Sequence, residues 1–499
     1  MENAGLNALK TVARGALIVL AGSGVGRLLN YSYKLIVARL GPESFGILSL
    51  CVTLLGIAST LAFLGLPEGV KRYISFYQGK NDSQKLRATI QSSLVLSTIA
   101  ACLLAGVIFL AAESIAKLFF HNATSAAYVY FVAAILPFYV VNWICIKCFA
   151  GFKNLKFRVF VYDIGENAFK IAFTVVLLML GFKLWSALLG YGLAIICCSL
   201  LSLYLLEFKV FSVLRGPYRG QVMHNELLQF SLPLLFSGLM IFVLSWTDTL
   251  MLGYFSSMTN VGLYSAALLI SSLVFIGTDL LTPIYLPVVT ELYARKEKAQ
   301  ITSVFESVNK WVFAICLPLA FLTFIFARQL LAIFFPQEFG VAYGALVLLT
   351  AGRLVYAFSF TSLHMLNMIE RTRIIFVTSA IATALNVVLN YLFIPRYGIV
   401  GAAAATAFSL TLQALLLIGL NVKYLRLHVF SPATAKVALA AFLPALALYW
   451  LQYYCARTLV VFFSLSALYM LIYAALLYFL KAYDDKDNAI VKMIIQRRA

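Results

Sequence analysis

Four basic side chains lie within apolar segments that are long enough to cross a membrane: Arg27, Lys34, Lys170 and Arg353. A charge at the centre of a bilayer is costly, so such residues usually face the interior of a helix bundle or a water-filled cavity. Arginine presents a planar fork that bonds two phosphate oxygens, and lysine provides a compact positive charge. We therefore predict that the four residues line a cavity that binds a phosphate or pyrophosphate group.

Four carboxylates lie within the same apolar segments: Asp163, Glu166, Asp248 and Asp279. A carboxylate in a site of low dielectric can exchange a proton or bind Na⁺, so each is a candidate for coupling to H⁺ or Na⁺. Asp163, Glu166 and Lys170 have the spacing of one helical face. The fifth apolar segment is therefore predicted to carry charges of both signs on one side.

Several of these residues also have a structural interpretation. Lys34 lies near the outer end of its segment and could extend to the membrane interface. Lys170 could simply neutralise Glu166, which precedes it by four residues. Asp248 could hydrogen-bond a neighbouring helix. His364 is expected to be a packing residue. The cationic cavity and the structural interpretation both remain open at this level.

The composition of the chain requires a membrane environment. Of its 499 residues, 63% are hydrophobic and only 11% are charged. A soluble protein of this length could not bury so much apolar surface. The net charge of +19 does not indicate a nucleic-acid-binding protein, because the basic residues lie mainly in short gaps between apolar runs. The chain is therefore predicted to be an all-α polytopic membrane protein that does not bind nucleic acid.

Runs of about 20 apolar residues mark the helices that would have to position the charged side chains. Roughly fourteen such runs are present, and no soluble domain fits between them. The predicted spans cover residues 15–37, 44–66, 89–112, 125–146, 159–180, 184–206, 229–253, 261–285, 308–327, 342–368, 375–394, 399–421, 433–452 and 458–480.

The basic residues between these spans are unevenly distributed. If the N-terminus is inside, the inner segments hold about 28 of them and the outer segments about 6. The inner set also includes Lys481 and two lysines close to the inner ends of their predicted spans, Lys310 and Lys436. Both termini are therefore predicted to be cytoplasmic.

An internal repeat relates segments that are about 215 to 220 positions apart. "FGILS" (45–49) matches "VGLYS" (261–265), and "KLFF" (117–120) matches "AIFF" (332–335). Six helices per repeat keep both halves in the same orientation, which predicts a parallel repeat with two additional helices. The predicted organisation is a six-helix lobe over residues 10–206, a second over 225–425, two further helices over 432–482 and a cytoplasmic tail over 483–499.

The sequence contains no pattern of a catalytic, metal or cofactor site. Cys145 and Cys148 form a C-x-x-C pair, but no second pair and no nearby histidine accompany it. The predicted outer loops are short and hold no Ser/His/Asp set and no carboxylate pair. We therefore expect no enzymatic activity, no metal and no cofactor.

Three stretches carry a resemblance to a known family: "ARLGPESFGILSL" (38–50), "LGYFSSMTNVGLYSAA" (252–267) and "ALNVVLNYLFIPRYGIVGAAAATAFS" (384–409). The chain resembles the polysaccharide transporter branch of the multidrug/oligosaccharidyl-lipid/polysaccharide (MOP) flippase superfamily over its whole length. The resemblance implies the fourteen-helix, two-lobe fold. It also implies that the protein translocates oligosaccharides linked to polyprenyl phosphate or pyrophosphate across the cytoplasmic membrane by alternating access.

The resemblance further implies the partners of such a flippase. These are the lipid-linked glycan, membrane lipid, H⁺ or Na⁺, and proteins of polysaccharide assembly. Two other functions remain as alternatives. An H⁺- or Na⁺-coupled exporter of small molecules would have the same fold but an acidic cavity and about twelve helices. A membrane polysaccharide polymerase would need a long outer loop with catalytic residues, which this sequence lacks.

Overall fold

The structure is a computed structural model that describes residues 21–213, 223–454 and 459–482. These residues form helices and contain no β-strand. The chain divides into two compact units, with the boundary between Gly262 and Leu263. The predicted tail over 483–499, and parts of the first and last predicted spans, lie outside the described residues. The predicted lobe boundaries stay a prediction.

The first unit begins with a helix over residues 21–38. Two of its later helices start with residues that favour a helix N-terminus. Pro42 follows Gly41 at the start of the second helix. The Asp82 side chain accepts a 3.0 Å hydrogen bond from the Lys85 backbone and caps the fourth. The helices are α1 (21–38), α2 (Pro42–Ala62), α3 (Leu66–Gly79), α4 (Ser83–Leu110), α5 (Ala112–Phe119), α6 (Ala126–Gly151), α7 (Leu155–Arg158), α8 (Glu166–Met179), α9 (Leu184–Leu205) and α10 (His224–Phe255).

The fifth predicted span is not one regular α-helix. A π-helical segment, Val159–Gly165, separates α7 from α8. In such a segment the hydrogen bonds skip one additional residue, so the side chains before and after it are rotated relative to an ideal α-helix. Asp163 lies inside the π-helical segment, whereas Glu166 and Lys170 lie in α8. The predicted common face is therefore altered at this point.

The second unit contains a helix that is broken at a glycine. The 54-residue segment from Thr372 to Leu425 bends at Gly398, whose φ of 55° and ψ of −129° are not helical. This break confirms the boundary predicted between the spans over 375–394 and 399–421. The helices are α11 (Met258–Ser271), which crosses the unit boundary, α12 (Ile276–Ala294), α13 (Lys298–Ile325), α14 (Ala327–Phe334), α15 (Tyr343–Phe358), α16 (Phe360–Met368), α17 (Thr372–Leu425), α18 (Pro432–Tyr454) and α19 (Leu459–Phe479).

Several short helical pieces connect these elements. A 3₁₀ turn over Ser272–Phe275 joins α11 to α12. Another π-helical segment, Leu206–Val210, ends α9. Further 3₁₀ turns, Ala123–Ser125 and Gln337–Ala342, precede α6 and α15.

The described residues contain ten helices that are long and apolar enough to cross a membrane, or eleven if a bent pair within α10 counts as one span. The prediction of an all-α polytopic protein is confirmed, but the count of fourteen is not. Part of the difference has a physical cause. The segment α17 counts once although it is broken at Gly398. The segment around α8 carries Asp163, Glu166 and Lys170, which lower its mean hydropathy.

The order of elements repeats between the units. Two consecutive helices, α4 and α5, have counterparts of the same length in α13 and α14: 28 and 8 residues in each case. They lie about 215 positions apart, which is the offset of the sequence repeat. In the same way, α8 corresponds to the first half of α17 and α9 to its second half. This correspondence allows equivalent contacts in the two units to be compared.

Each unit has its own apolar core. In the first unit, Leu66, Ile74, Ile144 and Phe149 are fully buried between α3, α4, α6 and α9. In the second, α13 packs against α12, α15 and α18 around residues such as Phe305.

Candidate functional site

Two glycines bring α1 into direct contact with the π-helical segment. A Cβ atom on Gly22 would overlap the Val159 side chain, and one on Gly26 would overlap the Asp163 carbonyl. Close approach of helices through small residues is typical of membrane proteins. This contact holds the charged face of α1 beside the charged residues of the fifth span.

Asp163 is placed by this contact. One of its carboxylate oxygens lies 3.3 Å from the Ser23 hydroxyl, and its other oxygen is buried without a hydrogen bond. The Asn167 side chain donates to the Asp163 carbonyl at 2.9 Å and to the Gly26 carbonyl at 3.4 Å. The positive charges of Arg158 and Arg27 act on the Asp163 carboxylate. Asp163 thus joins α1 to the fifth span and keeps capacity for another donor.

Glu166 and Lys170 form a buried ion pair. The Lys170 ammonium lies 2.6 Å from one Glu166 oxygen, and both side chains are more than nine-tenths buried. The other Glu166 oxygen accepts from the Asn142 amide at 3.4 Å. The i, i+4 pairing proposed from the sequence is therefore present. A fully buried pair of this kind survives only when hydrogen bonds and nearby polar groups offset the loss of hydration.

Two tyrosines complete the surroundings of Lys170. Its ammonium lies 4.4 Å from the centre of the Tyr191 ring, a cation–π distance. The Tyr33 ring lies 6.4 Å from that ring, and the Tyr33 hydroxyl donates to the Ala187 carbonyl at 3.0 Å. Asn142, Tyr33 and Tyr191 were not identified as site residues from the sequence. Their only signal there is a polar or hydroxyl-bearing side chain within an apolar span.

Arg27 and Lys34 lie on α1 with different exposure. Arg27 is exposed, whereas Lys34 is half-buried. Tyr31, between them in the sequence, is also half-buried. In the first unit the structure therefore brings together the predicted residues Arg27, Asp163, Glu166 and Lys170.

Arg353 in the second unit is held by backbone and aromatic groups. Its guanidinium donates to the Leu268 carbonyl at 2.7 Å and lies 5.7 Å from the centre of the Phe275 ring. Leu268 is near the end of α11, where the change to the 3₁₀ turn alters the pattern of helical hydrogen bonds. Arg353 is half-buried, so its guanidinium has both a fixed partner and access to its surroundings.

The other two predicted carboxylates differ in burial. Asp248 on α10 is buried, with 3% of its surface exposed. Asp279 in the first turn of α12 is exposed. His364 packs edge-on against the rings of Phe360 and Tyr285, at 4.7 and 6.2 Å between centres. The coupling role of the two carboxylates stays a prediction.

A neutral polar network lies in the second unit. The Asn390 amide donates to the Asn386 side chain at 3.1 Å, and the Asn386 amide donates to the Thr406 hydroxyl at 3.3 Å. The Tyr264 hydroxyl lies 3.5 Å from the same Thr406 oxygen. These contacts join α11 and the two halves of α17.

Within residues 21–213, 223–454 and 459–482, no group of three or more His, Cys, Asp or Glu side chains is placed so that it could hold a metal ion. Cys145 and Cys148 are buried free thiols on α6.

Sequence comparison identifies related proteins. Residues 12–292 match the family described as "Polysaccharide biosynthesis protein", and residues 233–392 match the family described as "MatE". A relative named "Probable low-salt glycan biosynthesis flippase Agl15" from Haloferax volcanii is 26% identical over 172 residues. The alignment covers 34% of this chain and 36% of that protein, so the match spans about a third of the relative's length.

Comparison of structures indicates the same fold over most of the chain. The solved structure of "Lipid II flippase MurJ, inward closed conformation" superposes with a TM-score of 0.73 at 15% identity and covers 93% of this chain and 99% of that one. An inward-facing multidrug resistance MATE family transporter of the MOP superfamily gives 0.68 at 19% identity, over 82% and 98%. The all-α transporter fold predicted from the sequence is therefore confirmed.

Proposed function

Since the chain belongs to the polysaccharide biosynthesis protein family, within the MOP superfamily that its sequence predicted, we propose that it is a flippase. Its substrate would be an oligosaccharide linked to polyprenyl phosphate or pyrophosphate, and it would move the headgroup across the cytoplasmic membrane by alternating access. Agl15, a relative whose name describes it as a probable flippase of glycan biosynthesis, supports this class of function. Transport of this kind involves no covalent chemistry on the substrate.

The observation that best supports this function is the set of basic side chains within the membrane spans. In the first unit, Arg27 is exposed on α1 and lies within electrostatic reach of Asp163, and Lys170 is buried against Glu166. In the second unit, Arg353 is anchored on a carbonyl. Because intramembrane cations are costly, they are expected to serve a function, and phosphate is the anion that their geometry suits.

The carboxylates would have a role in the cycle. In the empty state, Asp163 and Glu166 partly neutralise the positive charges near them and so lower the cost of keeping these charges in the membrane. The phosphates of the headgroup would replace the carboxylates as partners. Substrate binding then changes the charge balance of the fifth span, which provides the difference in free energy that shifts the equilibrium between inward-open and outward-open states.

The additional helices α18 and α19 would guide the lipid chain, which stays in the bilayer while the headgroup crosses. We also propose that both termini are cytoplasmic, as the distribution of basic residues predicts. Thiol labelling tests this orientation. A Lys80→Cys variant, in which the exposed Cys102 and Cys455 of the predicted outer segment are both replaced by serine, should react with an impermeant reagent only after the membrane is opened. Labelling of this variant in intact cells would show that residue 80 lies outside, and the proposed orientation would be wrong.

A second candidate is an exporter of small molecules that is coupled to H⁺ or Na⁺. Two observations favour it: the MatE match over residues 233–392, and an Asp163 oxygen that is buried without a hydrogen bond. A carboxylate in this state can accept a proton or contact a cation. This function predicts that transport depends on an ion gradient and that lipid-linked oligosaccharides are not moved.

Transport in proteoliposomes tests the flippase. A fluorescent lipid-linked oligosaccharide is placed in the inner leaflet, and its appearance outside is measured with an impermeant glycosidase. Arg27→Ala and Arg353→Ala should each slow transport by at least about tenfold, the effect of losing one charge-assisted bond to phosphate. Arg39→Ala and Arg328→Ala are matched controls, since both arginines are exposed. Arg39 directly follows α1, and Arg328 lies in the first turn of α14.

The two candidate functions give different results in this assay. Full-rate transport by both cavity variants would contradict the cationic site. Two results together would favour the exporter. The wild-type protein would fail to move the glycan lipid, and it would transport a small cation only until an ionophore removes the ion gradient.

A further inference from the structure

A basic cavity lies in the second unit, and none of the predicted site residues is part of its lining. Its volume is about 290 Å³. Three lysines and one glutamate contribute the charge, and two serines and the first two residues of α18 complete the described lining. The lining residues are Glu306, Ser307, Lys310, Ser431, Pro432, Ala433, Lys436 and Lys481.

One wall of the cavity is a face of α13. Glu306, Ser307 and Lys310 are spaced at i, i+1 and i+4, so the first and last lie one turn apart on the same side. Lys310 is 4% exposed and interacts with other protein groups, whereas Glu306 is exposed. A lysine this deeply buried is unusual, and it is part of the lining of the cavity.

The start of α18 also lines the cavity. Ser431 and Thr434 cap this helix reciprocally: the Ser431 amide donates to the Thr434 hydroxyl at 2.8 Å, and the Thr434 amide donates to the Ser431 hydroxyl at 3.3 Å. The positive end of the helix dipole is thereby fixed at the cavity. Lys436 lies one turn further along and is exposed.

The third wall comes from the end of α19. The amides of Lys481 and Ala482 bond the Tyr478 and Leu477 carbonyls at 3.1 and 3.0 Å, which is the pattern that ends many helices. The Tyr473 hydroxyl donates to the Ala314 carbonyl at 2.9 Å and ties α19 to α13. Lys481 is thus held at the mouth of the cavity by packed elements.

We propose that this cavity binds the phosphate of an anionic glycerophospholipid. Among the described residues that line the cavity, three lysines stand against one carboxylate, which gives an excess of positive charge, and the start of α18 adds to it. All three lysines were assigned to the cytoplasmic side from the sequence, where the surface potential of the membrane is negative. Basic pockets between membrane helices on that side are suited to lipid headgroups.

The surroundings favour a lipid over a soluble phosphate compound. Beyond the cavity, α18 exposes Leu439, Phe442 and Leu443, each to about half of its surface. Acyl chains attached to a bound headgroup would lie along this apolar surface. A lipid bound here would hold α13, α18 and α19 together, which gives the two additional helices a regulatory site that is separate from the proposed transport residues.

Lipid binding by the purified full chain tests the proposal without any transport assay. Binding of short-chain phosphatidylglycerol in detergent is measured by native mass spectrometry and by the shift in melting temperature, with phosphatidylcholine as the neutral lipid. Lys436→Gln/Lys481→Gln should weaken phosphatidylglycerol binding about 30-fold, given the usual contribution of a surface lysine to anionic lipid binding. Glu306→Gln should strengthen it. Binding of phosphatidylcholine should not change.

Lys298→Gln/Lys423→Gln is the matched control, because both lysines are exposed in the same unit, belong to the same predicted side and do not line the cavity. Equal losses in the two double variants would overturn the proposal, since the effect would then be general surface charge. Inorganic phosphate is tested in parallel. If inorganic phosphate displaces the lipid with an affinity equal to that of the lipid itself, the ligand is a soluble phosphate compound and the lipid proposal is wrong.

The chain itself offers a competing occupant. Asp484, Asp485 and Asp487 follow Lys481 in the sequence. The lysines could instead bind this acidic segment. In that case Lys436→Gln/Lys481→Gln leaves lipid binding unchanged, and it lowers the melting temperature by as much as Asp484→Asn/Asp485→Asn/Asp487→Asn does. This result would contradict the lipid proposal. Because none of these measurements uses the flippase substrate, their failure is distinguishable from failure of the proposed function.

Discussion

In the first unit, α8 is joined to α9 through Lys170, whose ammonium lies 4.4 Å from the Tyr191 ring and is paired with Glu166. In the second unit, the corresponding helices are the two halves of α17, and they are joined through the hydrogen bond from Asn386 to Thr406. The two contacts occupy equivalent places about 215 positions apart in the repeat. One is built from charges and the other from neutral groups.

The difference indicates which contact exists for reasons other than stability. Hydrogen bonds between membrane helices contribute about 0.6 kcal/mol on average, which suits the neutral contact to a structural role. Burying an ion pair costs several kcal/mol per ion before the attraction offsets it, and an apolar replacement is often no less stable. A duplicated fold that can use a neutral contact in one half has no structural need for a charged contact in the other. The charged contact is therefore the better candidate for function.

The largest expected effect comes from breaking the charged contact on one side. Glu166→Gln leaves Lys170 buried without its counter-charge, and we expect the free energy of unfolding to fall by about 3 kcal/mol. Thermal unfolding of the purified protein in detergent measures the change. Glu113→Gln, at an exposed glutamate of α5 in the same unit, is the control and should change stability little. A cost for Glu166→Gln no larger than the control would mean that Lys170 does not depend on this carboxylate.

The next effect concerns the closeness of α8 and α9. A Cβ atom on Gly190 would lie 2.8 Å from the Thr174 backbone nitrogen and 2.9 Å from its Cα, so Gly190→Ala must push the helices apart. We expect a loss of about 2 kcal/mol, as for other overpacked sites, and a weaker contact between Lys170 and Tyr191. Gly106→Ala on α4 is the control, because nothing lies near its Cβ position and alanine favours the helix. Equal effects of the two alanines would remove the steric explanation.

Removing both charges separates stability from function. Glu166→Gln/Lys170→Met eliminates the ion pair and fills most of the same volume, and we expect stability within about 1 kcal/mol of the wild-type protein. Transport of the lipid-linked glycan should nevertheless fall by more than about tenfold, because the charge that alternates between carboxylate and phosphate is gone. Unfolding and proteoliposome transport are measured on the same preparation. A stable double variant that transports at the normal rate would make the ion pair dispensable and break the proposed distinction between the units.

The sequence predicts the fold well where the physical signal is local. Apolar length locates the spans, and the gap between the runs over 375–394 and 399–421 predicts the break that the structure has at Gly398. It does not predict that α13 starts at Lys298 rather than at residue 308, since the added turns are less apolar and lie before the span. The short helices α5 and α14 also escape a search for membrane spans, because eight residues cannot cross a bilayer.

The candidate site is predictable only in part for a related reason. The pairing of Glu166 with Lys170 follows from a spacing of four in one helix. The separate environment of Asp163 does not, because it depends on the π-helical segment and on Gly26 of another helix. Tyr191 is likewise placed by tertiary packing. Residues close in space but distant in sequence leave no signal that a single chain can reveal.

The smallest expected effect tests the neutral contact. Thr406→Val keeps the shape of the side chain but removes the hydroxyl that lies between Asn386 and Tyr264, and we expect a loss of about 0.6 kcal/mol. Thr290→Val is the control, since Thr290 is exposed and its hydroxyl bonds the Leu286 carbonyl one turn earlier in its own helix. Unfolding in detergent measures both variants.

Transport by the Thr406→Val variant should stay within about threefold of the wild-type rate, because a change of about 0.6 kcal/mol in a barrier changes the rate by no more than that even if it acts fully on the transport step. A loss of transport as large as that expected from removing the charged pair would place the neutral contact in the functional machinery as well. The two halves of the repeat would then contribute alike to the transport cycle, and the charge at Lys170 would be one of two means of joining helices that move together. Normal transport combined with a small loss of stability would instead leave the second contact with a structural role alone.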